Sequence, residues 1–122
     1  VADVGTLQRL PKLIGNQGIV REMAFTGRKV LAEEAQRIGL VNQVFESREA
    51  LYAGVQELAA MIASKSPLSI RGTKEMLNYS RDHSVADGLN YIATWNAAML
   101  MSSDLTTAMM ASMAKQTPQF KD

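Results

Sequence analysis

The 122-residue chain contains no cysteine, so no disulfide framework, cysteine-ligated metal site or thiol nucleophile can be built from it. It has one histidine, His83, which without cysteine leaves no clustered transition-metal ligand set. Neither charge dominates: 13 lysines and arginines face 12 aspartates and glutamates, for a formal net charge of +1. That balance carries no electrostatic footprint for nucleic acid. No apolar run approaches the roughly 20 residues a membrane-spanning helix needs. A glycine-rich phosphate loop and a serine in a nucleophile-elbow pattern are both missing.

What remains is 47% hydrophobic, too apolar for a disordered chain, and reads as a soluble, intracellular-type globular segment. Eight methionines stand against one tryptophan, three tyrosines and three phenylalanines. Met99, Met101, Met109, Met110 and Met113 crowd the last quarter. Flexible thioethers serve a core or an adaptable interface, and the shortness of the chain favours the interface. The length suits a single domain. Even so, Val1 and its neighbours read as the middle of a longer protein, with no leader or basic targeting arm in front.

The apolar spacing predicts helices almost throughout. Leu7 and Leu10 share a face that Pro11 interrupts. Asn16 caps a helix striped by Ile19, Val20, Met23 and Ala24, which Gly27 ends. A short helix over Ala32 to Ile38 closes at Gly39, where a left-handed residue is wanted. Leu40 to Phe45, β-branched and aromatic, is the one expected strand, and no second strand offers to pair with it. Ser47 caps a helix carrying Leu51, Val55, Leu58 and Ile62. Ser66-Pro67 starts another that reaches Tyr79. Ser84 and Asp87 form a capping box for the longest expected helix, with Val85, Leu89, Ile92, Trp95 and Met99. Ser103 or Asp104 begins the last, which Pro118 ends.

Few residues carry chemistry. Arg28-Lys29 and Arg71/Lys74 lie among acids without interleaved aromatics, as solvated helix surface does. Glu33 and Glu34 are adjacent on a helix and point in different directions, so they make no carboxylate dyad. His83 sits in a polar linker beside a cap, which suits a structural role. Asp3, among Val1, Ala2, Val4 and Gly5 just before a helix, has two readings. It is either the helix cap, or a carboxylate in an apolar setting suited to proton transfer.

Ala24-Phe25-Thr26-Gly27-Arg28, then Ala32, Glu34-Ala35 and Gly39-Leu40-Val41-Asn42-Gln43-Val44, resemble the C-terminal half of the crotonase (enoyl-CoA hydratase/isomerase) superfamily. Ser64-Lys65-Ser66-Pro67 with Thr73-Lys74 is similar to its next segment, so the resemblance runs through the whole chain. Within the superfamily, the stretches Ala2 to Lys12, Tyr79 to Ala86 and Leu89-Asn90-Tyr91 resemble the Δ3,5-Δ2,4-dienoyl-CoA isomerases. There the aspartate matching Asp3 is an active-site acid/base, which turns the reading of Asp3 towards a proton carrier. The resemblance places a second carboxylate, a glutamate, and an oxyanion hole of two backbone N–H groups ahead of this chain. It implies no metal or redox cofactor, the acyl-CoA thioester being substrate. It also matches Lys115 to a lysine that touches coenzyme A bound by a neighbouring subunit, although Ser112 stands where the accompanying aromatic belongs.

The expected fold is therefore mostly α with one short strand. Residues 1–66 end the α/β ββα-spiral core, and residues 67–122 form a helical segment that covers the site and builds a homotrimer or a dimer of trimers. The expected function is isomerisation of 3,5-dienoyl-CoA to 2,4-dienoyl-CoA in fatty-acid β-oxidation. The alternatives are a hydratase or mono-ene isomerase of the same superfamily, and a non-catalytic helical oligomerisation module. The tail Pro118 to Asp122 bears no peroxisomal address, which leaves a bacterial cytoplasmic, a mitochondrial and a peroxisomal setting open.

Overall fold

Residues 2–121 are described by a computed structural model, and they form seven α-helices. The chain divides into two compact units, Val1–Ala53 and Gly54–Asp122, with the division falling inside a helix.

In the first unit, α1 (Thr6–Leu13) follows Gly5, whose φ of 89° turns the chain into the helix. Pro11 does not interrupt α1, contrary to expectation. Only Lys12 and Leu13 follow it in the helix, and the Gln17 amide donates to the Pro11 and Ile14 carbonyls at 2.9 and 3.1 Å. Carbonyls left without helical partners are thereby satisfied from outside. α2 (Gln17–Thr26) is capped as expected, the Asn16 side chain accepting from the Gly18 and Ile19 N–H groups, and it ends on Gly27 at φ 60°. α1 packs on α2, and Ile14, only 1% exposed, is the centre of this small core with Val20 and Ala35.

α3 (Ala32–Arg37) closes at Gly39, whose φ of 78° is the left-handed stop the sequence calls for. The strand expected at Leu40 to Phe45 is absent: the segment bends and forms no ladder. Two causes act together. The Leu40 and Val41 N–H groups are spent on the Ala35 carbonyl, at 2.8 and 3.3 Å. No strand occurs elsewhere among the described residues to pair with the rest.

α4 (Arg48–Ala63) crosses the division between units, with Ser47 capping it through the Ala50 N–H at 3.1 Å. At 16 residues it exceeds by one the helix expected to be longest.

In the second unit, α5 (Pro67–Tyr79) is capped by Ser66, and α6 (Val85–Met99) by the Ser84/Asp87 box, as the sequence predicts. Hydrogen bonds from Ser84 hold the Asp87 carboxyl below the usual carboxylate range. α7 (Ser103–Met113) stops well short of Pro118. The chain reverses through Lys115 at φ 54°, and the Gln116 N–H closes on the Ala111 carbonyl at 2.8 Å, so the stop needs no proline.

α5 and α6 pack through Gly72 and Trp95. A ladder of rings extends the contact: His83 stacks on Tyr79 at 3.6 Å, Tyr79 meets Tyr91 at 4.5 Å, and Tyr91 meets Trp95 edge-on at 6.2 Å. The Tyr91 hydroxyl donates to Glu75 at 3.2 Å. Desolvation, then the Glu75 charge, pushes that hydroxyl above its ordinary pKa.

Most apolar stripes form without being covered. Leu51, Val55, Leu58 and Ile62 of α4 stay exposed, as do Met109, Met110 and Met113 of α7. The accessible surface is 9960 Å². Two separate compact globules of these sizes would expose roughly 7,800 Å². The excess therefore lies within the units.

The Gly72–Trp95 contact yields a prediction with a definite sign. A Cβ at Gly72 would lie 2.8 Å from Trp95 Nε1, against a rigid ring rather than a flexible tip. Alanine in a helix interior normally stabilises by about 1 kcal/mol over glycine. Here overpacking outweighs it, and Gly72→Ala is expected to lose about 1–3 kcal/mol. Urea denaturation followed by Trp95 fluorescence checks this; a variant as stable as its parent would refute the contact.

Candidate functional site

Asp3 precedes the first residue of α1 by three positions and is exposed. Its Oδ1 accepts the Val4 N–H at 2.6 Å, and its carbonyl accepts the Thr6 N–H at 3.1 Å. Gly5, not Asp3, is the residue at the cap position of α1, so the capping reading fails. The local turn instead fixes the backbone and one carboxylate oxygen, and leaves the other oxygen without a hydrogen bond among the described residues. Asp3 lines a shallow concavity of about 590 Å³ with Leu7, Gln8 and Arg9. The residues of this chain do not supply an apolar setting there, since Val4 is 98% exposed. Chemically, this is a positioned carboxylate open to exchange a proton with whatever fills the concavity.

Lys115 belongs to the second unit, and Asp3 to the first. Lys115 holds the left-handed position that ends α7, its own N–H donating to the Ser112 carbonyl at 3.1 Å. That conformation is costly for a residue with a side chain. Its ammonium forms no ion pair among the described residues.

A second concavity lies elsewhere. A groove of about 660 Å³ lies between α5, α6 and α7. Met76, Leu89, Ile92, Trp95 and Leu105 give it an apolar floor, with His83 at one end and the Ser66/Asp104 pair among its few polar groups. Sequence reasoning passed over His83 as a linker residue, yet the Tyr79/His83 and Tyr91/Trp95 pairs, each four apart on helical spacing, carry a readable signal. The His83 Nδ1 lies 2.8 Å from both the Tyr79 carbonyl and Asp82 Oδ1, so it serves as the donor to two acceptors.

Arg28 and Glu34 form a bidentate pair at 2.8 and 2.7 Å, with Glu22 on the Arg28 Nε at 2.7 Å. The hydrogen bonds from Arg28 hold the Glu34 carboxyl below the usual glutamate range, and both glutamates push Arg28 up. This triad ties the end of α2 to α3 and leaves Glu34 with no freedom for acid/base work. Among the described residues, no group of three or more His, Cys, Asp or Glu side chains is placed to hold a metal, and no helix is long and apolar enough to cross a membrane.

Residues 1–122 of this helical chain match the enoyl-CoA hydratase/isomerase family, and the chain belongs to it. Among curated relatives, the mitochondrial Δ3,5-Δ2,4-dienoyl-CoA isomerase of Homo sapiens is 56% identical over 110 residues, covering 90% of this chain and 34% of that protein. The peroxisomal Δ3,5-Δ2,4-dienoyl-CoA isomerase of Arabidopsis thaliana is 49% identical over 120 residues, covering 98% of this chain and 43% of that protein. Among solved structures, the enoyl-CoA hydratase EchA1 of Mycobacterium marinum superposes with a TM-score of 0.89 at 31% identity, over 99% of this chain and 49% of that one. The chain thus spans between a third and a half of the length of the relatives it matches.

The Arg28–Glu34 pair gives a pH prediction. A carboxyl whose folded pKa is depressed stabilises the fold above its unfolded value, and loses that contribution as pH falls through the folded one. The stability gap between the parent and Glu34→Gln should be full above the ordinary glutamate value of 4.5 and shrink below it. Urea midpoints measured from pH 7 down to pH 3 check this; a gap independent of pH would contradict the pairing.

Proposed function

We propose that this chain is the C-terminal part of a Δ3,5-Δ2,4-dienoyl-CoA isomerase and that Asp3 is one of its two proton-carrying carboxylates. The observation that carries the reading is the similarity, 56% over 110 residues, to a relative bearing that name. It is supported by the placement of Asp3, which the Asp3-Val4-Gly5 turn holds with one oxygen free.

The chemistry fits such a group. Converting a 3,5-diene to a 2,4-diene removes a proton from the carbon beside the thioester and delivers one to the far end of the conjugated system. Between those steps the charge resides on a dienolate oxygen. Two carboxylates, one near each end, match the two proton transfers, and a pair of backbone N–H donors matches the oxyanion. Asp3 serves one end; the matching glutamate and the N–H donors lie outside the described residues. The acyl-CoA is substrate, with no further cofactor in the scheme. Exclusion of water around Asp3 also falls to parts of the enzyme beyond these residues, because Val4 beside it is open.

In the same reading, residues 1–66 end the spiral core and residues 67–122 form the covering and trimer-building segment. Lys115 then reaches coenzyme A on a neighbouring subunit. A second reading, an enoyl-CoA hydratase, is favoured by the superposition on the M. marinum enzyme. The isomerase is preferred because the relatives carrying that name are more similar in sequence.

Asp3→Asn in the family-length enzyme tests the assignment. General acid–base groups contribute about 100- to 10,000-fold, so turnover of 3,5-dienoyl-CoA should fall by at least about 100-fold with the fold intact by circular dichroism. Near-normal isomerisation by this variant would refute the role of Asp3.

A further inference from the structure

α7 is held to the rest of its unit very differently from α5 and α6. Those two interlock through Gly72, Trp95 and the ring ladder. The apolar side chains that α7 gives to the groove are only Leu105 and Ala108, and Leu105 is itself partly exposed. Against this thin apolar contact stands one polar tie. The Ser66 hydroxyl donates to Asp104 Oδ2 at 2.5 Å across 38 positions of sequence, while the Ser66 oxygen itself accepts the Ser69 N–H at 3.1 Å.

The tie is unusual in what it joins. Ser66 is the cap of α5, and is 8% exposed. Asp104 lies in the first turn of α7, whose own cap residue, Ser102, makes no side-chain capping bond. One carboxylate therefore sits at two helix N-termini, where both helix dipoles favour its negative charge. A hydrogen bond to a charged acceptor from a mostly buried hydroxyl is among the stronger kinds.

We infer that α7 is a strap along one side of the groove, latched by the Ser66–Asp104 hydrogen bond, and that it undocks as a unit when the latch breaks while α5 and α6 stay paired. Residues 100–102, between α6 and α7, provide the pivot. They hold only short-range turns, with Met101 and Ser102 N–H groups on the Ala98 and Met99 carbonyls at 3.4 and 3.1 Å. An 11-residue helix is marginal once detached, so undocking is also unwinding, and the groove then opens along the side that Leu105 and Ala108 had closed.

Hydrogen exchange resolved by residue on the full chain tests this. Ser66→Ala would also strip α5 of its cap, so Asp104→Ala is the informative variant and Asp104→Asn, which keeps an acceptor oxygen, is the conservative one. In Asp104→Ala, amides across the whole of α7, including its last turn at Met110 to Met113, should exchange about 10- to 100-fold faster, with Gly72 and Trp95 unchanged. Asp104→Asn should lie close to the parent. Faster exchange confined to the first turn of α7 would mean a lost dipole partner rather than a latch, and would overturn the inference. So would equal acceleration in all three helices, an α7 already unprotected in the parent, or no change at all.

Discussion

Hydrogen bonds at helix ends hold this structure together where apolar burial does not. Ile14, Val20 and Ala35 are the only buried apolar side chains among the described residues. Nearly every helix junction, by contrast, has its own device. Asn16, Ser47, Ser66 and Ser84 accept N–H groups at helix starts, and Gly27, Gly39 and Lys115 take left-handed conformations at helix ends. Such devices contribute roughly 0.5–2 kcal/mol each and act locally. They settle where helices begin and stop, and leave the long-range arrangement to a few contacts: Gln17 under α1, Arg28 between α2 and α3, Gly72 against Trp95, and Ser66 on Asp104.

The same shortage of burial shapes the site. Asp3 is placed by its own turn, through the Val4 N–H and the left-handed Gly5, and needs nothing distant to hold its backbone. Its surroundings are a different matter, because a carboxylate suited to move a proton to and from carbon needs walls, an oxyanion partner and a second carboxylate. In the proposed enzyme those come from the part of the family-length protein that this chain does not span. The uncovered stripes of α4 and α7 belong to the same account. Surfaces made to be covered by other elements stay exposed when a third to a half of the relatives' length is described.

How far the sequence could be read follows from this division between local and distant causes. Caps and stops were legible because they depend on residues within about four positions, as at Asn16, Gly27, Gly39, Ser66 and the Ser84/Asp87 box. The family, too, was legible, since Gly27-Arg28, Gly39-Leu40 and Ser66-Pro67 mark those junctions in order. The strand at Leu40 to Phe45 was misjudged because β-propensity describes a side chain's fit to a sheet, and here no sheet exists to fit. Pro11 was misjudged because its missing N–H leaves only the Leu7 carbonyl without a helical donor, and Leu7 is exposed. The Ser66–Asp104 tie had no sequence signal at all: serine at a cap and aspartate in a first turn are each complete as local motifs. Asp3 stood out from its neighbours with two readings, the resemblance turned it towards a proton carrier, and its geometry then removed the capping alternative.

The central claim is that this chain belongs to an enzyme that relocates conjugated double bonds. It is tested most directly by giving the family-length protein 3,5-dienoyl-CoA and 2-enoyl-CoA separately and following each product by absorbance and mass. The account predicts conversion of the 3,5-diene to a conjugated 2,4-dienoyl-CoA of unchanged mass, with hydration of the 2-enoyl thioester much slower. Rapid addition of water to 2-enoyl-CoA with no isomerisation of the diene would contradict it.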